Sequence, residues 1–90
     1  MSIVQATIFC VAGFDTTVNA MAAEQVLIKN QVDHVMMPLP SKIAASCGLA
    51  IRFWPADLTL VRRLFAEAGI ECRFYQGIKE KQRESYELLE

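Results

Sequence analysis

A strand that is apolar on both faces leads directly into a helix start in residues 8–17, which read Ile8-Phe9-Cys10-Val11-Ala12-Gly13-Phe14-Asp15-Thr16-Thr17. A strand without a polar face is typical of the middle of a sheet, where both sides are covered. Asp15 and Thr16 are candidate N-caps, because their side-chain oxygens accept the free N–H groups of a first helical turn. The stretch therefore predicts a central first strand and a helix that runs to about Lys29.

The spacing of apolar residues predicts three more strands and a second helix in the rest of the chain. A second strand over residues 32–37 is predicted to lie at a sheet edge, because the prolines that follow it cannot donate to a ladder. A third strand spans residues 49–54, and a second helix with apolar residues at i, i+3 and i+4 spacing ends at Gly69. Residues 70–75 alternate apolar and polar side chains, which predicts a fourth strand.

This order of elements predicts the fold class. Strand, helix, strand, strand, helix, strand is the split βαβ order, which favours an α+β ferredoxin-like domain over residues 1–78, with a four-stranded antiparallel sheet and both helices on one face. The charged tail, residues 79–90, is predicted to be a solvated helix or a segment docked on a neighbour. The other sheet face has no helix, and its candidate lining, which depends on strand register, is Ala6, Ile8, Cys10, Ala50 and Trp54.

Composition and charge exclude several classes of protein. Nine Lys and Arg against ten Asp and Glu give a net charge of -1, which offers no footprint for a nucleic acid. The longest apolar run, residues 8–14, is far shorter than the roughly 20 residues that span a membrane. No positively charged region opens the chain as in a secretory signal, so a cytoplasmic location is expected. The hydrophobic fraction of 53% fits a filled core or an additional apolar surface. We expect the bare sheet face to be covered, either in a homodimer or by the chain's own tail.

The three cysteines do not form a disulfide framework, because their number is odd and their spacings are unpaired. Cys10 and Cys72 lie in strand patterns, where a free cysteine is most often a small buried hydrophobe. His34 is predicted to be a half-exposed strand residue, and no C-x-x-C or H-x-x-E spacing indicates a metal. The glycines form neither a P-loop nor a dinucleotide fingerprint, so neither a metal nor a cofactor is expected.

The connector between the second and third strands has the most unusual composition, Pro38-Leu39-Pro40-Ser41-Lys42-Ile43-Ala44-Ala45-Ser46-Cys47-Gly48. Pro38 and Pro40 stiffen its start and Gly48 frees its end, which favours an accessible Cys47 thiol. A thiolate at neutral pH requires about 2 kcal/mol of preferential stabilisation. Its candidate sources are Lys42, Arg52 and the N–H groups near Ser46 and Gly48.

Two features leave the role of Cys47 open at this point. A helical turn over residues 41–46 would place Cys47 at its C-terminal end, where the helix dipole disfavours an anion. Spacing alone also fits a packed cysteine before a turn glycine.

The motif Pro38-x-Pro40-x-x-Ile43-x-x-Ser46-Cys47-Gly48-x-Ala50-x-x-Phe53 resembles the small bacterial and archaeal proteins described as selenium/sulfur (Se/S) carrier protein-like. The helix-one pattern that begins Phe14-Asp15-Thr16-Thr17 is similar too, and the resemblance covers about residues 4–77. The family commonly has threonine between the prolines and arginine after the second, where this chain has Leu39 and Ser41. Lys42 would then supply the cation for an anionic sulfur or selenium species, as a point charge.

The resemblance implies a carrier that holds sulfur or selenium covalently on Cys47 and exchanges it with donor and acceptor proteins, rather than an enzyme with turnover. Its site residues are Cys47 as the thiolate, supported by Ser46, Gly48, Lys42, Arg52, Pro38 and Pro40. The alternative is a non-catalytic, dimerising regulatory module that binds a protein or a metabolite. A third reading is a redox sensor that forms a disulfide through Cys47.

Overall fold

The computed structural model describes residues 6–43 and 48–89 of the chain. Five strands, two helices and one short 3-10 turn follow one another within these residues. In chain order the elements are β1 (Ala6–Gly13), α1 (Thr17–Lys29), β2 (His34–Pro38), β3 (Leu49–Phe53), the 3-10 turn (Pro55–Asp57), α2 (Leu58–Glu67), β4 (Arg73–Glu80) and β5 (Arg83–Leu89).

The strands form one antiparallel sheet in the order β2-β3-β1-β4-β5. The prediction of a four-stranded ferredoxin-like sheet is therefore wrong, and so is the helical tail. The tail is strand β5, which pairs with β4 from Glu80↔Arg83 to Phe74↔Leu89. A charged segment is stable in this position because an edge strand keeps its charges in water while the neighbouring strand satisfies its backbone.

β1 lies in the centre of the sheet, and the two helices cover one of its faces. On that face Cys10 and Ala12 of β1 are buried under α1 and α2. Ring contacts link Phe14 to Phe65 and Phe53 to Phe74, with centroids 6.1 and 6.2 Å apart. This helical side holds the main hydrophobic core.

The face without helices, here called the open face, is nevertheless partly buried. Phe9, Val11 and Ala50 are buried on this face. The connector covers them through Ile43 and Leu39, and β5 adds Tyr86. The fold thus covers the centre of its bare sheet face with its own chain.

Cys10 does not line the open face, and neither do Ala6 and Ile8, so three of the five candidates from sequence are wrong. The register pairs Cys10 with Phe53 and Val11 with Arg52. Because side chains alternate along a strand, Cys10 points to the helices, while Phe9 and Val11 take the open face.

The predicted boundaries of the helices follow their local chemistry. Thr16, not Asp15, caps α1, since its hydroxyl oxygen accepts a hydrogen bond from the Asn19 N–H at 3.1 Å. Gly69 follows α2 with a left-handed φ of 69°, which a glycine adopts without strain. Within residues 6–43 and 48–89, neither helix has the length and apolar character needed to cross a membrane.

Candidate functional site

The connector leaves the sheet at β2 and returns at β3, which are paired neighbours, so its two ends lie together. The Leu39 N–H donates to the Gly48 carbonyl at 2.9 Å, and the Ile43 N–H donates to the Pro40 carbonyl at 2.9 Å. Gly48 is exposed and Ile43 is buried against the open face. Ser46 and Cys47 lie outside the described residues, and Cys47 directly precedes Gly48 in the chain.

Arg52 of β3 is held on the open face by aromatic rings. Its guanidinium carbon lies 3.9 Å from the centroid of the Phe9 ring and 5.9 Å from that of the Trp54 ring. The part of the chain that the structure describes offers Arg52 no ion pair with a carboxylate. A half-buried guanidinium in this setting keeps its hydrogen-bond donors available to a ligand.

A cavity of about 350 Å³ lies between the connector and the sheet. The connector contributes residues 38–40, the sheet contributes Phe9, Met37 and Arg52, and β5 contributes Glu84 and Tyr86. We call this space the connector cavity. It combines apolar walls with two charged groups of opposite sign.

Of the residues predicted from sequence, Pro38, Pro40 and Arg52 come together at this cavity. Lys42 does not line it, because its ammonium group donates a hydrogen bond to the backbone carbonyl of Glu84 on β5. Gly48 contributes the backbone contact that closes the base of the connector. Lys42 therefore anchors the connector to β5.

Sequence reasoning missed the contribution of β5 to the site. Tyr86 and Phe9 form an edge-to-face ring contact, with centroids 6.0 Å apart and planes at 77°. Its hydroxyl donates to Glu84 Oε2 at 3.4 Å. Burial raises the pKa of Tyr86, and the charge of Glu84 raises this pKa further, while the charge of Arg52 lowers it. The hydroxyl therefore stays protonated at neutral pH and donates a hydrogen bond.

The two described cysteines are poor nucleophiles. Cys10 is buried as predicted, and Cys72 is half-buried at the edge of the helical core. Burial raises the pKa of both thiols, that of Cys72 to about 12, and the charge of Arg62 opposes the rise only partly. Both therefore remain protonated at neutral pH, where thiolate chemistry does not proceed.

His34 has partners on both ring nitrogens. Its Nδ1 lies 2.8 Å from the Val32 carbonyl oxygen, and its Nε2 lies 3.4 Å from Glu24 Oε2 on α1. These contacts fix the start of β2 against the helix. No group of three or more metal-ligating side chains occurs among residues 6–43 and 48–89.

The fold and the site thus define a small α+β protein with a proline-bounded, cysteine-containing connector on the face opposite its helices. Residues 9–76 match the family model described as "Putative Se/S carrier protein-like", and this match covers well over half of the chain, so the chain belongs to that family. The match begins in β1, spans the entire connector and ends in β4, so β5 lies beyond it. Neither the curated proteins nor the solved structures gave a match.

Proposed function

We propose that this protein carries sulfane sulfur or selenium on Cys47, as a persulfide or a selenopersulfide, between a donor and an acceptor protein. Membership in the Se/S carrier-like family supports this function, and the matched residues include the whole connector with Cys47. A donor protein would load Cys47 with the sulfur or selenium atom, and an acceptor protein would remove it.

The transfer step needs no oxidant. The Cys47 thiolate attacks the outer sulfur of a donor persulfide, R–S–SH, and the S–S bond of the donor breaks. The donor leaves as a thiolate and takes up a proton, while a new S–S bond forms on Cys47. Thiol–disulfide exchange follows the same path, and its rate depends on the thiolate fraction of the attacking thiol.

The observation that carries the proposal is the state of the other two thiols. Burial raises the pKa of Cys10 and of Cys72, so neither competes for sulfur at neutral pH. Gly48, which directly follows Cys47 in the chain, is exposed. A thiol next to an exposed glycine is accessible to a reagent where a buried thiol is not, and this supports Cys47 as the reactive cysteine. A reducing compartment such as the cytoplasm would keep this thiol free.

The test is mass spectrometry of the intact protein after incubation with a cysteine desulfurase and either cysteine or selenocysteine. The wild-type chain should gain the mass of one sulfur or one selenium atom, and Cys47→Ala should gain none. Cys72→Ser is the matched control and should load like the wild type. Equal loading of Cys47→Ala and wild type, or no added mass on the wild type, contradicts the proposal.

A second candidate function, self-association, is favoured by the outer face of α1. Val18, Met21 and Ile28 are 76%, 61% and 53% exposed and lie at helical spacing. The stripe they form with Ala22 and Gln25 carries one charge, that of Lys29 in the last turn, and the long stem of this side chain lets its ammonium group stay in water when two copies meet. Sedimentation at micromolar concentration should show a dimer that Met21→Glu converts to monomer. A wild-type monomer across that range contradicts this candidate.

A further inference from the structure

The connector cavity holds two charged groups that do not neutralise each other. Arg52 and Glu84 both line it, yet within the described part of the chain the two make no ion pair, with each other or with another side chain. A cavity with a separate cation and a separate anion is complementary to a ligand that carries both charges. Opposed charges of this kind provide specificity, because each rejects a ligand with the wrong sign.

Each charged group is oriented by its neighbours. The guanidinium carbon of Arg52 lies 3.9 Å from the centroid of the Phe9 ring. This stacked position leaves the in-plane N–H groups of the guanidinium available to donate two hydrogen bonds to a carboxylate. Lys42 binds the backbone carbonyl of Glu84, and the Tyr86 hydroxyl donates to Oε2 of the same residue. Oε1 of Glu84 therefore remains for an ammonium group.

The size and the walls of the cavity narrow the class of ligand further. Ligand cavities run from about 300 to 1,000 Å³, and this one, at about 350 Å³, is at the small end. The remaining walls, Phe9, Met37 and residues 38–40, are apolar and suit a sulfur-containing side chain.

From this arrangement we infer that the connector cavity binds an amino-acid zwitterion, its carboxylate on Arg52 and its ammonium on Glu84, and that the ligand is the persulfide of cysteine. The inference rests on the proposed carrier function and names its small-molecule donor. The Cys47 thiolate takes the outer sulfur, the S–S bond of the donor breaks, and cysteine leaves as a thiolate that is then protonated. Atoms and electrons balance without a further reagent.

The ammonium half of this site comes from β5. Glu84 and Tyr86 lie beyond residues 9–76, which match the family model. The preference for an ammonium group is therefore assigned to the C-terminal hairpin, whereas Arg52, which would bind the carboxylate, lies in the matched part of the chain.

Binding of S-methylcysteine, which cannot transfer sulfur, tests the inference on the full chain by ¹H–¹⁵N NMR titration. Wild type and Cys47→Ala should bind alike. Glu84→Gln and Arg52→Lys should each weaken binding roughly tenfold or more, the loss expected for one charge-assisted contact. Glu87→Gln is the matched control on β5, because Glu87 pairs with Gln76 on the helical side of the sheet, and it should not change binding. The same spectra show whether each variant is folded.

Two analogues complete the test: methylthiopropionate, which lacks the ammonium group, and S-methylcysteamine, which lacks the carboxylate. Both should bind at least roughly tenfold more weakly than S-methylcysteine. No binding of S-methylcysteine, or equal binding of all three probes, overturns the inference, and loading of Cys47 by a desulfurase would still leave the carrier function standing. Binding of S-methylcysteine without loading of Cys47 by cysteine persulfide overturns the assignment of the donor.

Discussion

Gly77 of β4 supports the Phe9 ring on the open face, and replacing it with alanine tests the packing beneath the site. A Cβ on residue 77 would lie 2.5 Å from Phe9 Cζ and 2.9 Å from Phe9 Cδ2. Phe9 is 1% exposed, with Arg52 over its ring and Tyr86 in edge-to-face contact with it. The ring must therefore shift and weaken both contacts.

The expected loss of stability follows from these contacts. Overpacking a buried site costs about 1–3 kcal/mol. Partial loss of the Arg52 cation–π contact and of the Tyr86 edge contact adds about 1 kcal/mol. Alanine reduces the entropy of the unfolded chain, which offsets about 0.4–1 kcal/mol. The net expectation for Gly77→Ala is a decrease of roughly 1–3.5 kcal/mol in the free energy of unfolding, or roughly 5–25 °C in Tm.

Urea unfolding followed by circular dichroism measures this change, with Gly48→Ala as the matched control. Nothing lies within 4 Å of a Cβ at Gly48, so that variant should stay within about 0.5 kcal/mol of wild type. The double variant Phe9→Leu/Gly77→Ala should lose less free energy of unfolding than the sum of the two single variants, because the smaller leucine leaves room for the new methyl group. Equal free energies of unfolding for Gly77→Ala and Gly48→Ala would refute the reasoning.

Three further predictions concern the thiols and the first helix. In the native protein at neutral pH, Cys47 should react rapidly with a maleimide, whereas Cys10 and Cys72 should react only after unfolding in urea. Fast alkylation of all three cysteines would contradict the burial of Cys10 and Cys72. Burial raises the pKa of Cys72 from 9.0 to about 12, so the stability that comes from its protonated thiol is complete below pH 9 and is lost as the pH rises towards 12. The urea midpoint of the wild type should therefore fall over this pH interval, and that of Cys72→Ser should fall less steeply. Thr16→Ala should lower the free energy of unfolding by about 1 kcal/mol because it removes the N-cap, whereas Asp15→Ala should cost under about 0.5 kcal/mol, and similar values for the two variants would argue against the cap.

Much of the architecture follows from local chemistry in the sequence. The apolar run around Val11 places β1 in the centre of the sheet, and Pro38 ends an edge strand. Thr16 and Gly69 mark the two helix ends that side-chain and backbone chemistry specify. These signals act within a few residues, which is why the sequence alone predicts the strands β1 to β4 and both helices.

β5 could not be predicted in the same way. The hairpin turn contains Lys81 at a φ of 51° and no glycine, so the usual signal of a two-residue turn is missing. The charges of Arg83, Glu84 and Glu87 predict a solvated segment. Only the ring contact of Tyr86 with Phe9 shows that this segment packs on the sheet. The partner that makes the strand stable lies far away in the sequence.

The candidate site also combines residues that the sequence predicts with contacts that only the structure reveals. Pro38, Pro40 and Arg52 could be selected by composition, but the position of Arg52 over Phe9 depends on the register of β1 against β3. Lys42 was predicted to support the thiol, yet its ammonium binds the Glu84 carbonyl, a contact that requires β5. Residue types thus indicate which groups can act, while register and pairing determine which of them meet.

The central claim is that Cys47 is the carrier thiol, and the most direct measurement locates the carried atom. Wild-type protein loaded by a cysteine desulfurase is alkylated, digested and mapped by tandem mass spectrometry. The account predicts that the added sulfur is confined to the peptide that contains Cys47, with Cys10 and Cys72 unmodified. Sulfur on Cys10 or Cys72, or on no cysteine at all, would contradict it.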